Sequence, residues 1–409
     1  RRRSDGLPRR LRNSRRSAPV PEAPEQNGRL TVVSEAELDR MVRRILGPFS
    51  GMRSKTSDER SAGRIEKPGE ETGFFRSISL FFDALFSGCP RFRLRKTAPH
   101  ANRTGQLPFL NVGHRGSPVA EVENTIPSFA RALEQGANAL ELDLCITADG
   151  HPVIWHDHDP SDFVVRLRNA GLEPDVAYTT LFPDNGPYRR PIHELTLAEF
   201  REHCGYRLKR GDDPVDVAIP TFAEFIDWLV EGEHRIDALF LDVKIPPNRA
   251  VDIEPFMESV GNDIARLPGG IAIVFETTSG DLQDLMKRET DRHIERPVIH
   301  ALDTEVNPGL ILLPRLYSAI AHALRRSNGM AIPLRPRPIT IAPWVTYRRL
   351  IAGDITRMRR YNRRNPEAPV AGLIGATIND PAEIECLIAL GITGMQTDRP
   401  DLVAEALER

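Results

Sequence analysis

Two histidines, an arginine, a lysine and three carboxylates are spaced along this chain so that, brought together, they could act on a phosphate ester with the help of a metal ion. The dense stretch runs through Gly113-His114-Arg115-Gly116, Glu141-Leu142-Asp143 and Val153-Ile154-Trp155-His156-Asp157, and Asp242-Val243-Lys244 follows downstream. Residues i and i+2 of a strand share a face, so Glu141 and Asp143 point the same way, as do Asp242 and Lys244. Glu141, Asp143 and Asp242 around one divalent cation, with water and substrate oxygens completing its shell, form a hard oxygen site suited to Mg²⁺ or Ca²⁺. Arg115 and Lys244 would offer positive charge to a phosphate, the arginine bidentately and the lysine as a point charge. His114 and His156 suit an acid–base pair, because imidazole titrates near neutrality. The bland alternative for Glu141 and Asp143 is a pair of solvated carboxylates on an edge strand. Apolar neighbours on both sides argue against it, since buried unpaired carboxylates are costly.

These groups need elements that carry them to one place. From Phe109 onward, short apolar runs alternate with helical stretches. Strands are expected at 109–114, 138–144, 238–244, 271–276, 297–302, 339–344, 370–377 and 392–397, with amphipathic segments such as 126–135, 221–230 and 381–390 between them. That alternation predicts a (β/α)8 TIM-type barrel, whose chemistry sits at the carboxyl ends of its strands. One run breaks the pattern. The turn Thr147-Ala148-Asp149-Gly150 is too short for a helical crossover, so 152–157 should return as a hairpin and bring His156 back toward Glu141 and Asp143. Thr125 should cap the first helix, with Pro127 in its first turn and Gly136 at its end. Residues 160–220 read as an insertion without strong periodicity except at 195–203. Such insertions usually lie above the active face and shape the substrate pocket.

At 409 residues the chain has room for a large domain at 109–409 and an extension at 1–108. The extension starts with Arg1-Arg2-Arg3, Arg9-Arg10, Arg12 and Arg15-Arg16 and has little to bury, so it is expected to be largely disordered. Within it, 34–46 has the spacing of a short helix. Phe74, Phe75, Ile78, Phe81, Phe82, Leu85 and Phe86 make a wide apolar face at helical period. Segment 74–86 is too short to span a bilayer; it either packs on the main domain or makes a peripheral membrane contact. A net charge of −2 gives no general attraction to nucleic acid, and no nucleic-acid partner is expected. Cysteines at 89, 145, 204 and 386 show neither zinc spacing nor a disulfide framework, which favours a reducing, cytoplasmic setting. The chain begins at Arg1 without a methionine, so a preceding signal sequence stays open.

Taken in order, the motifs resemble those of the glycerophosphodiester phosphodiesterase family, within the phospholipase C-like phosphodiesterases. The family's His-Arg-Gly, Glu-Asn-Thr, Glu-x-Asp, His-Asp, Glu-x-Lys and Thr-Asp-x-Pro correspond here to His114-Arg115-Gly116, Glu123-Asn124-Thr125, Glu141-Leu142-Asp143, His156-Asp157, Asp242-Val243-Lys244 and Thr397-Asp398-Arg399-Pro400. The resemblance covers about 109–409. It implies a TIM-type barrel, one divalent cation, and hydrolysis of a small phosphodiester to an alcohol and glycerol phosphate. It also implies that His114 and His156 form the acid–base pair, Glu141, Asp143 and Asp242 the metal site, and Arg115 and Lys244 the phosphate site. Three places depart from the family pattern. Asp242 replaces the usual glutamate, Gly375-Ala376-Thr377-Ile378-Asn379 lacks a tryptophan, and Glu276-Thr277 stands where Ser-Phe is usual. Sphingomyelinase D-type phospholipases share the aspartate, so a lysophospholipase D or sphingomyelinase D-type activity at membranes is the alternative. Glu123 and Asn124 are expected to support the first loop, and Asp398 to cap the last helix.

Overall fold

The computed structural model describes residues 108–169, 176–209, 213–301, 303–305, 330–334, 343–366, 370 and 372–409. The extension expected at 1–108, with segments 34–46 and 74–86, lies outside the described residues except for Pro108. In chain order the first elements are β1 (Leu110–Gly113), α1 (Ile126–Glu134), β2 (Ala139–Ile146) and β3 (Pro152–Ile154). The insertion follows, with α2 (Phe163–Asn169), β4 (Tyr178–Leu181), α3 (Leu197–His203), β5 (Gly205–Leu208) and β6 (Pro214–Val215). Next come α4 (Phe222–Glu231), β7 (Ala238–Val243), α5 (Ile253–Ile264), β8 (Ala272–Glu276), α6 (Gly280–His293), β9 (Val298–His300), β10 (Asp303–Glu305) and β11 (Met330–Leu334). The chain ends with α7 (Pro343–Arg364), β12 (Gly372–Gly375), α8 (Pro381–Leu390), β13 (Gly394–Thr397) and α9 (Pro400–Glu408).

The parallel strands run β10-β11-β12-β13-β1-β2-β7-β8-β9. β9 pairs with β8, and β10, which follows directly in the chain, pairs with β11. Together these two make one broken stave, and the ladder returns on itself as the expected eight-stave barrel. The sixth stave is not where the sequence pattern puts it. It lies at Met330–Leu334, and the expected strand at 339–344 runs into a helix that begins at Pro343.

Alternation sorts the side chains. Leu110, Val112, Ala139, Ala238, Phe240, Val274, Ile374 and Ala376 fill the barrel interior. Their neighbours Leu140, Leu142, Leu144, Leu239 and Leu241 face outward, onto Phe129 of α1, Phe225 of α4 and Phe256 of α5. Phe129 and Phe225 meet edge to face at 5.0 Å. Each such buried ring stabilises the fold by roughly 1.5–3 kcal/mol. The interior column therefore continues upward from Ala139 to Glu141 and Asp143, and from Ala238 and Phe240 to Asp242. Register places Asp143 beside Asp242, and Asp242 beside Glu276.

α1 begins and ends as the sequence implies, with the Thr125 hydroxyl accepting from Ser128 N, Pro127 in the first turn, and Gly136 at φ 89°. The hairpin forms too, β3 lying antiparallel to β2 with Cys145 opposite Val153. The insertion is more regular than its sequence suggests. β4, β5 and β6 form a three-stranded antiparallel sheet. Its core is Trp155, fully buried and ringed by Phe182, Phe200 and Tyr206 at 5.9, 5.2 and 4.8 Å. Cys145 and Cys204 are free buried thiols, whereas Cys386 is disulfide-bonded. The spacing shows no disulfide framework, and Cys386 is an exception to it. Among the described residues, no helix is long and apolar enough to cross a membrane.

Candidate active site

Carboxylate oxygens of Glu141, Asp143 and Asp242 lie within 4.8 Å of one another. Glu141 and Asp143 are 2% and 1% exposed. Burial, and then the Asp143 charge, push the Glu141 carboxyl up to about 8. Asp143 goes the other way. Burial alone would raise it, but Lys244 prevails, with help from His156 and Arg115, and holds it well below the usual carboxylate range. The Lys244 Nζ lies 3.0 Å from Asp143 Oδ1 and donates to Asp242. Burial opposes the charge on Lys244, yet Asp242 and Asp143 keep its ammonium group protonated well above the ordinary lysine range. Crowded oxygen donors at the mouth of an apolar barrel, one of them forced toward its neutral form by burial and then by repulsion, fit a hard divalent cation. Among the described residues one other group, Glu254, Glu289 and His293, has comparable spacing, but it is partly exposed and lies on α5 and α6, outside the barrel.

The loop after β1 is shaped around Arg115. Its backbone takes φ 52°, in the left-handed region where non-glycine residues are strained, and such strain costs about 1–3 kcal/mol. That conformation aims Arg115 N at Glu141 Oε2, 2.8 Å away, while Nε lies 3.1 Å from Asp143 Oδ2 and Nη1 bonds Glu123 Oε2 at 2.9 Å. Gly116, at φ 86°, leaves no room for a side chain, because a Cβ would come within 2.5 Å of Ser128. Asn124 donates to Asp143 Oδ2 at 2.8 Å. Glu123 and Asn124 thus support the loop, as expected, and also reach the cluster itself.

His114 directly follows β1, and its Nδ1 lies 2.7 Å from Asp398 Oδ1. Burial and Arg115 disfavour its charged form, but Asp398 prevails and raises its pKa. Asp398 does not cap the last helix. The N-cap position of α9 is Arg399, and no side chain caps it. Asp398 follows Gly394 and Gln396 on the interior face and turns to His114, held by Asn379 Nδ2 at 2.6 Å. His156 arrives by the hairpin, with Trp155 N bonding Asp143 O at 3.0 Å. Its Nδ1 lies 2.5 Å from Asp157 Oδ1. Burial, and then Arg115, lower its pKa against the pull of Asp143.

All seven residues singled out from sequence therefore gather at the barrel mouth. Residues not singled out stand behind them. Arg168 of α2 donates to Asp157 and to Glu123, and Thr180 of β4 donates to the other Asp157 oxygen at 2.5 Å. Glu276, 1% exposed, accepts from Gln396 Nε2 with both oxygens, at 2.8 and 2.9 Å. The departure from the family pattern at Glu276 is thus a buried carboxylate held across the barrel by a neutral amide.

Fold and site together define an eight-stave α/β barrel whose mouth carries an acidic cluster that could hold a cation, with two carboxylate-bound histidines. Residues 114–304 match the family model described as the glycerophosphoryl diester phosphodiesterase family. Human glycerophosphoinositol inositolphosphodiesterase GDPD2 is 27% identical over 186 residues, 43% of this chain and 32% of that protein. Arabidopsis thaliana glycerophosphodiester phosphodiesterase GDPD6 is 34% identical over 185 residues, 41% of this chain and 46% of that protein. The chain thus spans less than half the length of either relative. A crystal structure of a candidate glycerophosphoryl diester phosphodiesterase from Silicibacter pomeroyi DSS-3 superposes with a TM-score of 0.52 at 20% identity, over 73% of this chain and 92% of that one, and shares the fold.

Proposed function

We propose that this chain is a metal-dependent phosphodiesterase that hydrolyses glycerophosphodiesters to an alcohol and glycerol phosphate, a reaction of lipid metabolism. The observation that carries the reading is the meeting of three oxygen ligands with two imidazoles. His114 is tied to Glu141 through the backbone of Arg115, and His156 to Asp143 through that of Trp155. Glu141, Asp143 and Asp242 would hold Mg²⁺ or Ca²⁺, which when bound supplies a Lewis acid that polarises a phosphoryl oxygen. Arg115 and Lys244 set positive charge beside the same place and stabilise charge that develops on the phosphoryl oxygens. On each histidine Nδ1 is engaged by a carboxylate, which leaves Nε2 for proton transfer. One imidazole takes the proton of the attacking hydroxyl, either water, which gives glycerol phosphate directly, or a neighbouring hydroxyl of the substrate, which gives a cyclic phosphate that water then opens to glycerol phosphate. The other protonates the leaving alcohol.

Turnover of glycerophosphocholine, lysophosphatidylcholine and bis(p-nitrophenyl) phosphate tests this. Glycerophosphocholine should be cleaved fastest, EDTA should abolish the activity, and Mg²⁺ or Ca²⁺ should restore it. Full activity after exhaustive chelation, with no metal found by elemental analysis, defeats the metal assignment. Preference for lysophosphatidylcholine would favour the second reading, a lysophospholipase D or sphingomyelinase D-type enzyme, which rests on Asp242. In that reading segment 74–86 supplies a peripheral membrane contact, and the full chain should co-sediment with liposomes.

A further inference from the structure

The insertion does more than overhang the barrel. Its helix α2 is short, with the Asp162 carboxylate accepting from Val164 N at 2.7 Å, and it ends on Arg168 and Asn169. Asn169 Oδ1 accepts from Thr179 Oγ1 at 2.7 Å and fixes α2 to β4. Arg168 is thereby delivered, 7% exposed, between two buried carboxylates. Nη2 bonds Glu123 Oε1 at 2.5 Å, and Nη1 bonds Asp157 Oδ1. Nη1 also lies 2.8 Å from His156 Nδ1. Glu123 turns its other oxygen to Arg115, and Asp157 turns its other oxygen to Thr180. The result is one continuous chain of buried contacts, Arg115–Glu123–Arg168–Asp157–His156, that joins the phosphate arginine to a proton-transfer histidine. Two carboxylates are met by one planar fork, a geometry a lysine cannot reproduce.

We infer that Arg168 is a positioning residue for proton transfer at His156: the insertion supplies the guanidinium that fixes Asp157, and Asp157 fixes the imidazole. This rests on the phosphodiesterase reading for its effect on rate, though not for its effect on the ring. Arg168 touches no reacting atom. Its work is to keep Nε2 of His156 aimed at the same point that Arg115 faces, since a misplacement of an ångström can cost about 10²-fold in rate.

The test is a double-mutant cycle in the full chain. Arg168→Lys should lower kcat on bis(p-nitrophenyl) phosphate by about 10²-fold with little change in KM. In a His156→Ala background the same change should alter the residual rate little, whereas in a His114→Ala background its cost should persist. Undiminished kcat in folded Arg168→Lys, or equal losses in all three backgrounds, overturns the inference. Should Arg168→Lys fail to fold, Thr180→Val loosens Asp157 from its other side and must show the same dependence on His156, with a smaller loss. A wild-type chain inert on every diester would remove the phosphodiesterase reading but leave a second readout. The ring nitrogen resonances of His156 must move in Arg168→Lys or Thr180→Val and stay in place in Arg166→Met on the same helix; unmoved resonances defeat the inference.

Discussion

The two histidines sit in clamps that begin alike and end differently. Each offers Nδ1 to an aspartate, Asp398 at 2.7 Å for His114 and Asp157 at 2.5 Å for His156. Behind Asp398 stands the neutral amide of Asn379; behind Asp157 stand the guanidinium of Arg168 and the hydroxyl of Thr180. An amide leaves the carboxylate's charge available to the imidazole, whereas a guanidinium takes up much of it. The imidazoles shift accordingly, against burial and Arg115 at His114 and with them at His156: His114 titrates above its ordinary value and His156 below. The clamps also belong to different parts of the chain. The first joins β1 to the end of β13 and so depends on barrel closure, while the second joins the β2–β3 hairpin to the insertion.

Removing the imidazoles should have the largest effect. His114→Ala and His156→Ala should each lower kcat by about 10²–10⁴-fold, the usual range for acid–base catalysis, with folding retained. Near-normal turnover in either folded variant would show that its clamp orients a bystander.

Removing the charges behind them should separate the clamps by stability. Asp157→Asn takes one buried carboxylate from Arg168, which still bonds Glu123, and should cost about 3 kcal/mol, the lower end for a broken buried pair. Asp398→Asn deletes a hydrogen bond with no buried guanidinium behind it and should cost about 1 kcal/mol. Urea midpoints at constant m-value measure both. The reverse order would mean that the Arg168 clamp is more solvated than its 0% and 7% exposed side chains indicate.

The clamps mark how far the sequence can be read. Glu141, Asp143, Asp242 and Lys244 were legible because strand alternation fixes their face whatever surrounds them. The hairpin was legible because its turn is too short for any crossover. Arg168 was not, because it ends a helix of seven residues in a stretch without periodicity, and its partners lie 11 and 45 residues away. Asp398, just ahead of Pro400, reads as a helix cap; only the interior column of β13 turns it to His114. The sixth stave was misplaced because Pro333 makes Met330–Leu334 look like a poor strand, while Ile339-Thr340-Ile341 has the β-branched pattern of a good one.

The smallest expected effect is also the one that tests the difference in charge behind the clamps. A group whose folded pKa is raised contributes stability that is present in full below its unfolded value and lost as pH rises through the folded one. His114 is such a group, so the contribution of its pair with Asp398 should be complete below about pH 6.5 and fade above it. His156 and Asp157 are lowered, and their sign is opposite. Below about pH 6.5 the unfolded chain gains a proton that buried His156 does not. Below about pH 4 it gains another that Asp157, held by Arg168, does not. The second clamp should therefore weaken on acidification and the first on alkalinisation. Melting temperatures of the full chain and of Asp398→Asn, taken from pH 5 to pH 9 in EDTA so that no cation intervenes, isolate the first clamp. The wild-type advantage should be largest at the acid end and shrink as pH rises past neutrality. An advantage that stays constant over that range would mean that Asp398 holds a neutral imidazole, and the electrostatic contrast between the two clamps would be lost.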